Sequence, residues 1–105
     1  MANINNYFTS DTIITGTADA DSIVNSSLTA NVTIDSDGGN DTIRNFGDSV
    51  SINAGEGNDS IDNSGDSVTI DGGAGNDSIY NSGDSVTIDG GAGDDSIHNF
   101  SSAPA

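Results

Sequence analysis

The chain reads as an all-β solenoid of about five stacked 18-residue coils. Three observations predict this. Six-residue loops ending in Asp recur at 16–21, 36–41, 54–59, 72–77 and 90–95, their closing Asp residues spaced 20, then 18, 18 and 18 residues apart. A constant period of this length is the signature of stacked repeats, each making one coil. Between loops, polar and apolar residues alternate, as in Ser67-Val68-Thr69-Ile70-Asp71, which is the pattern of a half-buried strand. Finally, the 14 glycines and the abundant Ser, Thr, Asn and Asp suit turns and strand surfaces, and no segment supports a helix.

Taken in order, residues 1–15 form an N-terminal cap, in which Tyr7 and Phe8 are placed to cover the first coil. Residues 16–100 carry the repeats, and 101–105 form a small polar tail expected to fray. A degenerate first unit spans roughly 11–28, with a two-residue insertion near Ser27-Leu28, and a looser one spans 29–46. Three units of equal length follow at 47–64, 65–82 and 83–100. Each holds a strand such as Ser67–Asp71, the Gly-rich loop, a shorter strand such as Ser78-Ile79-Tyr80, and a second turn such as Asn81-Ser82-Gly83-Asp84. Phe100 is placed to cover the last coil.

Stacking puts identical residues in columns. Three apolar ladders make the core: Ile23, Ile43, Ile61, Ile79 and Ile97; Val32, Val50, Val68 and Val86; Ile34, Ile52, Ile70 and Ile88. At ~4.8 Å per coil the stack is only ~24 Å tall. This core is thin for a chain with 17 acidic residues, one basic residue (Arg44) and a net charge of −16. Low apolar content with such a charge predicts disorder unless something neutralises it. The same charge repels nucleic acid and anionic membranes, and no apolar run is long enough to insert into a bilayer. An Asn column at 25, 45, 63, 81 and 99 is expected to stack through amide hydrogen bonds.

The decisive column is Asp41, Asp59, Asp77 and Asp95, with Asp21 before it. Two unit charges ~5 Å apart repel by ~3 kcal/mol at an effective dielectric of ~20, so the column needs counterions. Calcium suits it, because calcium accepts six to eight hard oxygen ligands in flexible geometry. Each loop offers one carboxylate and several backbone carbonyls, and its glycines allow the positive φ that turns carbonyls inward. Magnesium demands a stricter octahedron. Zinc favours His or Cys, and the chain has one His and no Cys.

Gly72-Gly-Ala-Gly-Asn-Asp-Ser-Ile-Tyr80 and Gly90-Gly-Ala-Gly-Asp-Asp-Ser-Ile-His98 resemble the calcium-binding nonapeptide of the RTX family, Gly-Gly-x-Gly-x-Asp-x-apolar-x. Ala54–Asp62 departs at its first residue, Ser36–Arg44 keeps one of three glycines, and Gly16–Val24 keeps Gly16, Asp21 and Ile23. The resemblance implies a right-handed parallel β-roll with calcium between successive loops. Carried over by position, the ligands would be Asp21, Asp41, Asp59, Asp77 and Asp95, with carbonyls at Ser36, Gly38, Ala54, Glu56, Gly72, Ala74, Gly90 and Ala92. Five loops imply about four Ca2+ ions. The opposite turns, such as Asn63-Ser-Gly-Asp66, lack the paired glycines, so calcium is expected along one edge only. The Asp48, Asp66 and Asp84 column there is expected to bond local turn backbone.

The family occurs in secreted bacterial toxins, proteases, lipases, adhesins and surface-layer proteins, and its repeats order when they meet extracellular calcium. The resemblance therefore implies a secreted or cell-surface structural module. The N-terminus lacks the basic start and apolar run of a signal peptide. The resemblance implies type I secretion, usual in the family, though the C-terminal signal it uses is not visible in this chain. An alternative reading is a glycan- or ice-binding solenoid using two outward hydroxyl ranks, Ser49, Ser67, Ser85 and Ser51, Thr69, Thr87. An enzyme is not expected: no nucleophile and base stand apart from the repeat. Exposed strand edges at both ends leave end-to-end self-association, or contact with neighbouring domains of a longer parent chain, open.

Overall fold

Period-two alternation becomes eleven short strands in a computed structural model of the chain, which describes residues 3–7, 10–26 and 30–100. One sheet stacks β1 (Asn3–Asn6), β3 (Ser22–Asn25), β5 (Thr42–Asn45), β7 (Ser60–Asn63), β9 (Ser78–Asn81) and β11 (Ser96–Asn99) in that order. The other stacks β2 (Ile13–Thr15), β4 (Thr33–Asp35), β6 (Ser51–Asn53), β8 (Thr69–Asp71) and β10 (Thr87–Asp89). Every pairing is parallel. The chain alternates between the sheets, so five turns of a flattened coil join the six strands of the larger sheet. There is no helix among the described residues.

Register follows from side-chain identity. Ile43 pairs Ile61, Ile61 pairs Ile79, and Ile52 pairs Ile70. A one-residue slip would turn these isoleucines to solvent, so burial sets the register. Ile23, Ile43, Ile61 and Ile79 from one sheet face Ile34, Ile52 and Ile70 from the other, with Val32, Val50, Val68 and Val86 closing the side, and all are buried. Ile14 extends the core at the N-terminal end, and Ile4 packs against it.

Two core residues depart from expectation. Ile97 is 45% exposed and Ile88 is only partly buried, because no further coil among the described residues covers them. Phe100 does not cover that end. It is 67% exposed and stacks outside with Tyr80 and His98, whose rings lie 4.8 Å apart. Tyr7 is likewise exposed. Phe8, the insertion near Ser27-Leu28 and the tail 101–105 lie outside the described residues.

The Asn column forms as expected and gains Asn6. Nδ2 of each Asn donates to Oδ1 in the next coil, from Asn6 through Asn25, Asn45, Asn63 and Asn81 to Asn99, at 2.8–2.9 Å. Asn45, Asn63 and Asn81 also close their own turns: Nδ2 donates to the carbonyl two residues on, and Oδ1 accepts that residue's N–H. Each of these buried amides is thereby fully satisfied, as a buried polar group requires.

The outward hydroxyl face is narrower than the alternation implies. Ser49, Ser67 and Ser85 have φ of 56°, 57° and 56°, so they are left-handed turn residues. Of the six hydroxyl residues in the two ranks, Ser51, Thr69 and Thr87 lie on the strands, in a rank that Thr33 extends.

Candidate metal centre

The Gly-rich loops join the second sheet to the first, so the Asp closing each loop sits immediately before a strand of the larger sheet. Parallel pairing holds that strand, and the next Asp, in register one coil away. Asp21, Asp41, Asp59 and Asp77 are all buried, and Asp95 in the last loop is half-buried. The backbone N–H of each Asp donates to Oδ1 of the Asp in the following coil: Asp21 to Asp41, Asp41 to Asp59, Asp59 to Asp77 and Asp77 to Asp95, at 2.8–2.9 Å. One oxygen each of Asp41, Asp59, Asp77 and Asp95 is thus spent on the stack.

The other oxygen is not. Oδ2 of Asp41, Asp59 and Asp77 is fully enclosed and has no hydrogen-bond partner. A buried anionic oxygen without a partner is costly, and three in a column are more so. The energetics are visible in protonation. Burial pushes the Asp59 carboxyl up to about 7, the charges of Asp77 and Asp41 add to the rise, and the N–H of Asp41 opposes it. Burial also raises Asp41 and Asp77. The N–H groups of Asp21 and Asp59, respectively, oppose the rise, as do the side chains of Ser36 at Asp41 and of Asp59 at Asp77. The charges of Asp21 and Asp37 add to it at Asp41, and that of Asp95 at Asp77.

The loop backbone supplies the rest of the cradle. Gly73 (φ 78°) and Gly75 (φ 110°) hold the left-handed conformation, and a Cβ at either would collide with the carbonyl of the same residue one coil earlier. Only glycine lets successive loops approach this closely. A Cβ at Gly72 or Gly90 would fall 2.7 Å from Oδ2 of its own loop's Asp, so glycine there keeps a side chain from crowding that oxygen. Ala54 and Ser36 fill the same position in the two earlier loops, and Ser36 Oγ donates to the Ala54 carbonyl at 2.7 Å. Asp37 takes the first left-handed position with φ 68°, where later loops have glycine.

Among the described residues, no three His, Cys, Asp or Glu side chains converge as a metal cluster. Among these residues, two carboxylates from adjacent coils are the most any one gap offers, so the other oxygens open to an ion here are backbone carbonyls and water. That donor set is hard oxygen throughout. It fits calcium and does not fit zinc.

The profile of the RTX calcium-binding nonapeptide repeat matches four times, at residues 28–44, 47–67, 54–85 and 82–99. The chain belongs to the RTX calcium-binding repeat family. The RTX repeat binds Ca2+, and four repeats fit about four ions. No curated protein and no solved structure matches. The β-roll is a structural repeat fold, and RTX repeats occur in secreted or surface bacterial proteins.

The second acidic column differs in kind. Asp48, Asp66 and Asp84 are exposed. Two of them reach beyond their own turns: the N–H of Asp66 donates to Asp48 Oδ1 and that of Asp84 to Asp66 Oδ1, both at 2.9 Å and across coils. Water reaches these carboxylates, so they lack the buried orphan oxygen of the first column.

A further column went unread in the sequence. Asp35, Asn53, Asp71 and Asp89 precede the loops, and each Oδ1 accepts the N–H two residues on, at 2.9–3.2 Å. Its signal was an Asx residue repeated just before each of the last four loops.

Proposed function

We propose that the chain is a calcium-organised structural module of a secreted or surface protein, binding ions along one edge and folding as it does so. The observation that carries this is the row of buried, partnerless Oδ2 atoms on Asp41, Asp59 and Asp77 beside glycine-bent loops. Asp41, Asp59, Asp77 and Asp95 are proposed as the carboxylate ligands, with carbonyls of Ser36, Gly38, Ala54, Glu56, Gly72, Ala74, Gly90 and Ala92, and with Asp21 contributing last. Bound calcium supplies positive charge where the column concentrates negative charge. Four ions would halve the net charge of −16.

The mechanism is linkage. An ion that binds stacked coils and not the open chain stabilises the fold by RT ln(1 + [L]/Kd) per site. Extracellular modules bind with Kd ~10⁻⁴–10⁻³ M, so calcium-rich surroundings order the chain and calcium-poor ones do not. In this reading residues 1–15 cap the roll, with β1 and β2 as its first rungs. Far-UV circular dichroism through a calcium titration, with magnesium as control, tests it. A change from coil to β signal at sub-millimolar to millimolar calcium is expected. A β signal already complete in chelator would overturn the folding part of the proposal.

A further inference from the structure

The first loop is built differently from the other four, and the difference falls on the carboxylate. Thr17 N–H donates to Asp21 Oδ2 at 2.6 Å, and Thr17 Oγ1 donates to Asp21 Oδ1 at 2.9 Å, with a longer contact of 3.1 Å to Oδ2. Both oxygens of Asp21 therefore have protein donors. In the next three loops the corresponding Oδ2, on Asp41, Asp59 and Asp77, has none.

The cause lies two residues upstream. In the later loops the N–H at the second position belongs to Asp37, Gly55, Gly73 and Gly91. It is drawn away by Oδ1 of Asp35, Asn53, Asp71 and Asp89, respectively. In the first loop the upstream residue is Thr15, and the N–H of Thr17 turns onto Asp21 instead. The backbone agrees: Asp37, Gly55, Gly73 and Gly91 have positive φ, and Thr17 does not. The four family matches begin at residue 28 and leave this loop out.

We infer that the Asx column is a positioning device which keeps each loop's carboxylate available to an ion, and that Thr17 ends the ion row by satisfying Asp21 internally. The inference rests on the calcium reading and deepens it. Calcium entering the gap between the loops at 16–21 and 36–41 must displace charge-assisted hydrogen bonds that the other gaps do not contain. That gap binds on the order of tenfold or more weakly than the rest.

Isothermal titration calorimetry of the full chain with calcium chloride tests this. Three tighter ions and one weaker are expected for the wild type. Thr15→Asp with Thr17→Gly installs the later-loop arrangement and is expected to bring the fourth ion to the affinity of the others. In the opposite direction, Asp71→Thr frees the Gly73 N–H to reach Asp77 and is expected to weaken the two flanking sites by roughly tenfold. Asp71→Asn keeps the acceptor, as Asn53 does naturally, and should match the wild type. Four equivalent wild-type sites would overturn the inference while leaving calcium binding intact. Equal weakening by Asp71→Asn and Asp71→Thr would overturn it too, since charge alone would then explain the effect. Absence of any calcium heat would overturn the calcium reading itself. Circular dichroism at saturating calcium confirms that each variant is folded.

Discussion

Asp77→Asn separates the two acidic edges most sharply. Asp77 is 2% exposed, its Oδ1 accepts the Asp59 N–H, and its enclosed Oδ2 lies beside Gly72 without a hydrogen-bond partner. An amide can keep the first bond, so the stack survives. It removes the charge shared by the gaps on either side of the loop. If each flanking site weakens tenfold, from ~100-fold saturation to ~10-fold, its contribution to folding falls from ~2.7 to ~1.4 kcal/mol. Over two sites the loss is ~2.6 kcal/mol, large against the stability of a domain this size. Asp84→Asn makes the same chemical change in an exposed carboxylate of the opposite turn and should shift stability by less than ~0.5 kcal/mol. The assay is the urea midpoint by circular dichroism at fixed calcium, paired with calorimetric calcium affinities. Equal losses in the two variants would refute the one-edge assignment. An Asp77→Asn protein with wild-type calcium affinity would refute the role given to the buried oxygen.

Protonation and calcium should act in opposite directions. The raised carboxyl of Asp59 binds protons more tightly folded than unfolded, so without calcium the folded state loses stability as pH rises from the ordinary carboxyl value of 3.8 toward 7. With calcium the same carboxylates must be deprotonated to bind, so affinity falls as pH drops through 7. β signal in chelator at pH 4.5 and 7.5, and calcium titrations at both, check the sign. Asn63→Ala should cost on the order of 4 kcal/mol in calcium-saturated urea melts, because it removes two inter-coil amide bonds and strips the buried Gly65 turn of both partners. Asn99→Ala, at the exposed end, should cost under ~1 kcal/mol, and similar losses would contradict the continuous ladder.

Periodicity makes most of this fold readable. Once residues recur every 18 positions, parallel stacking dictates the neighbours of each, so the Ile, Val, Asn and Asp ladders follow from spacing alone. The ends do not follow, because a period describes an interior coil. Ile97 occupies the same repeat position as Ile79, yet one is 45% exposed and the other fully buried, since only Ile79 has a coil on both sides. Ser67 reads as a strand residue by alternation, yet its φ of 57° places it in a turn. Alternation reports which way a side chain faces, and a left-handed turn residue faces outward just as a strand residue does.

The carboxylate column divides in the same way. Its existence, its spacing and its need for a cation were legible, because they depend only on like charges at the inter-coil distance. Which oxygen of each Asp is occupied was not legible. That depends on the direction of single N–H groups, and an N–H turns toward whichever acceptor its own backbone conformation can reach. Thr15 against Asp35, Asn53, Asp71 and Asp89 is a small change in sequence. In three dimensions it decides whether the loop's carboxylate is satisfied from within, as Asp21 is by Thr17, or left with a bare oxygen, as in Asp41, Asp59 and Asp77. The sequence by itself determined the coil, its core and its acidic edge, because repetition converts spacing into contact. The tertiary structure alone decided how the acids differ from one another, because hydrogen-bond direction is set by local backbone angles that a shared motif does not specify.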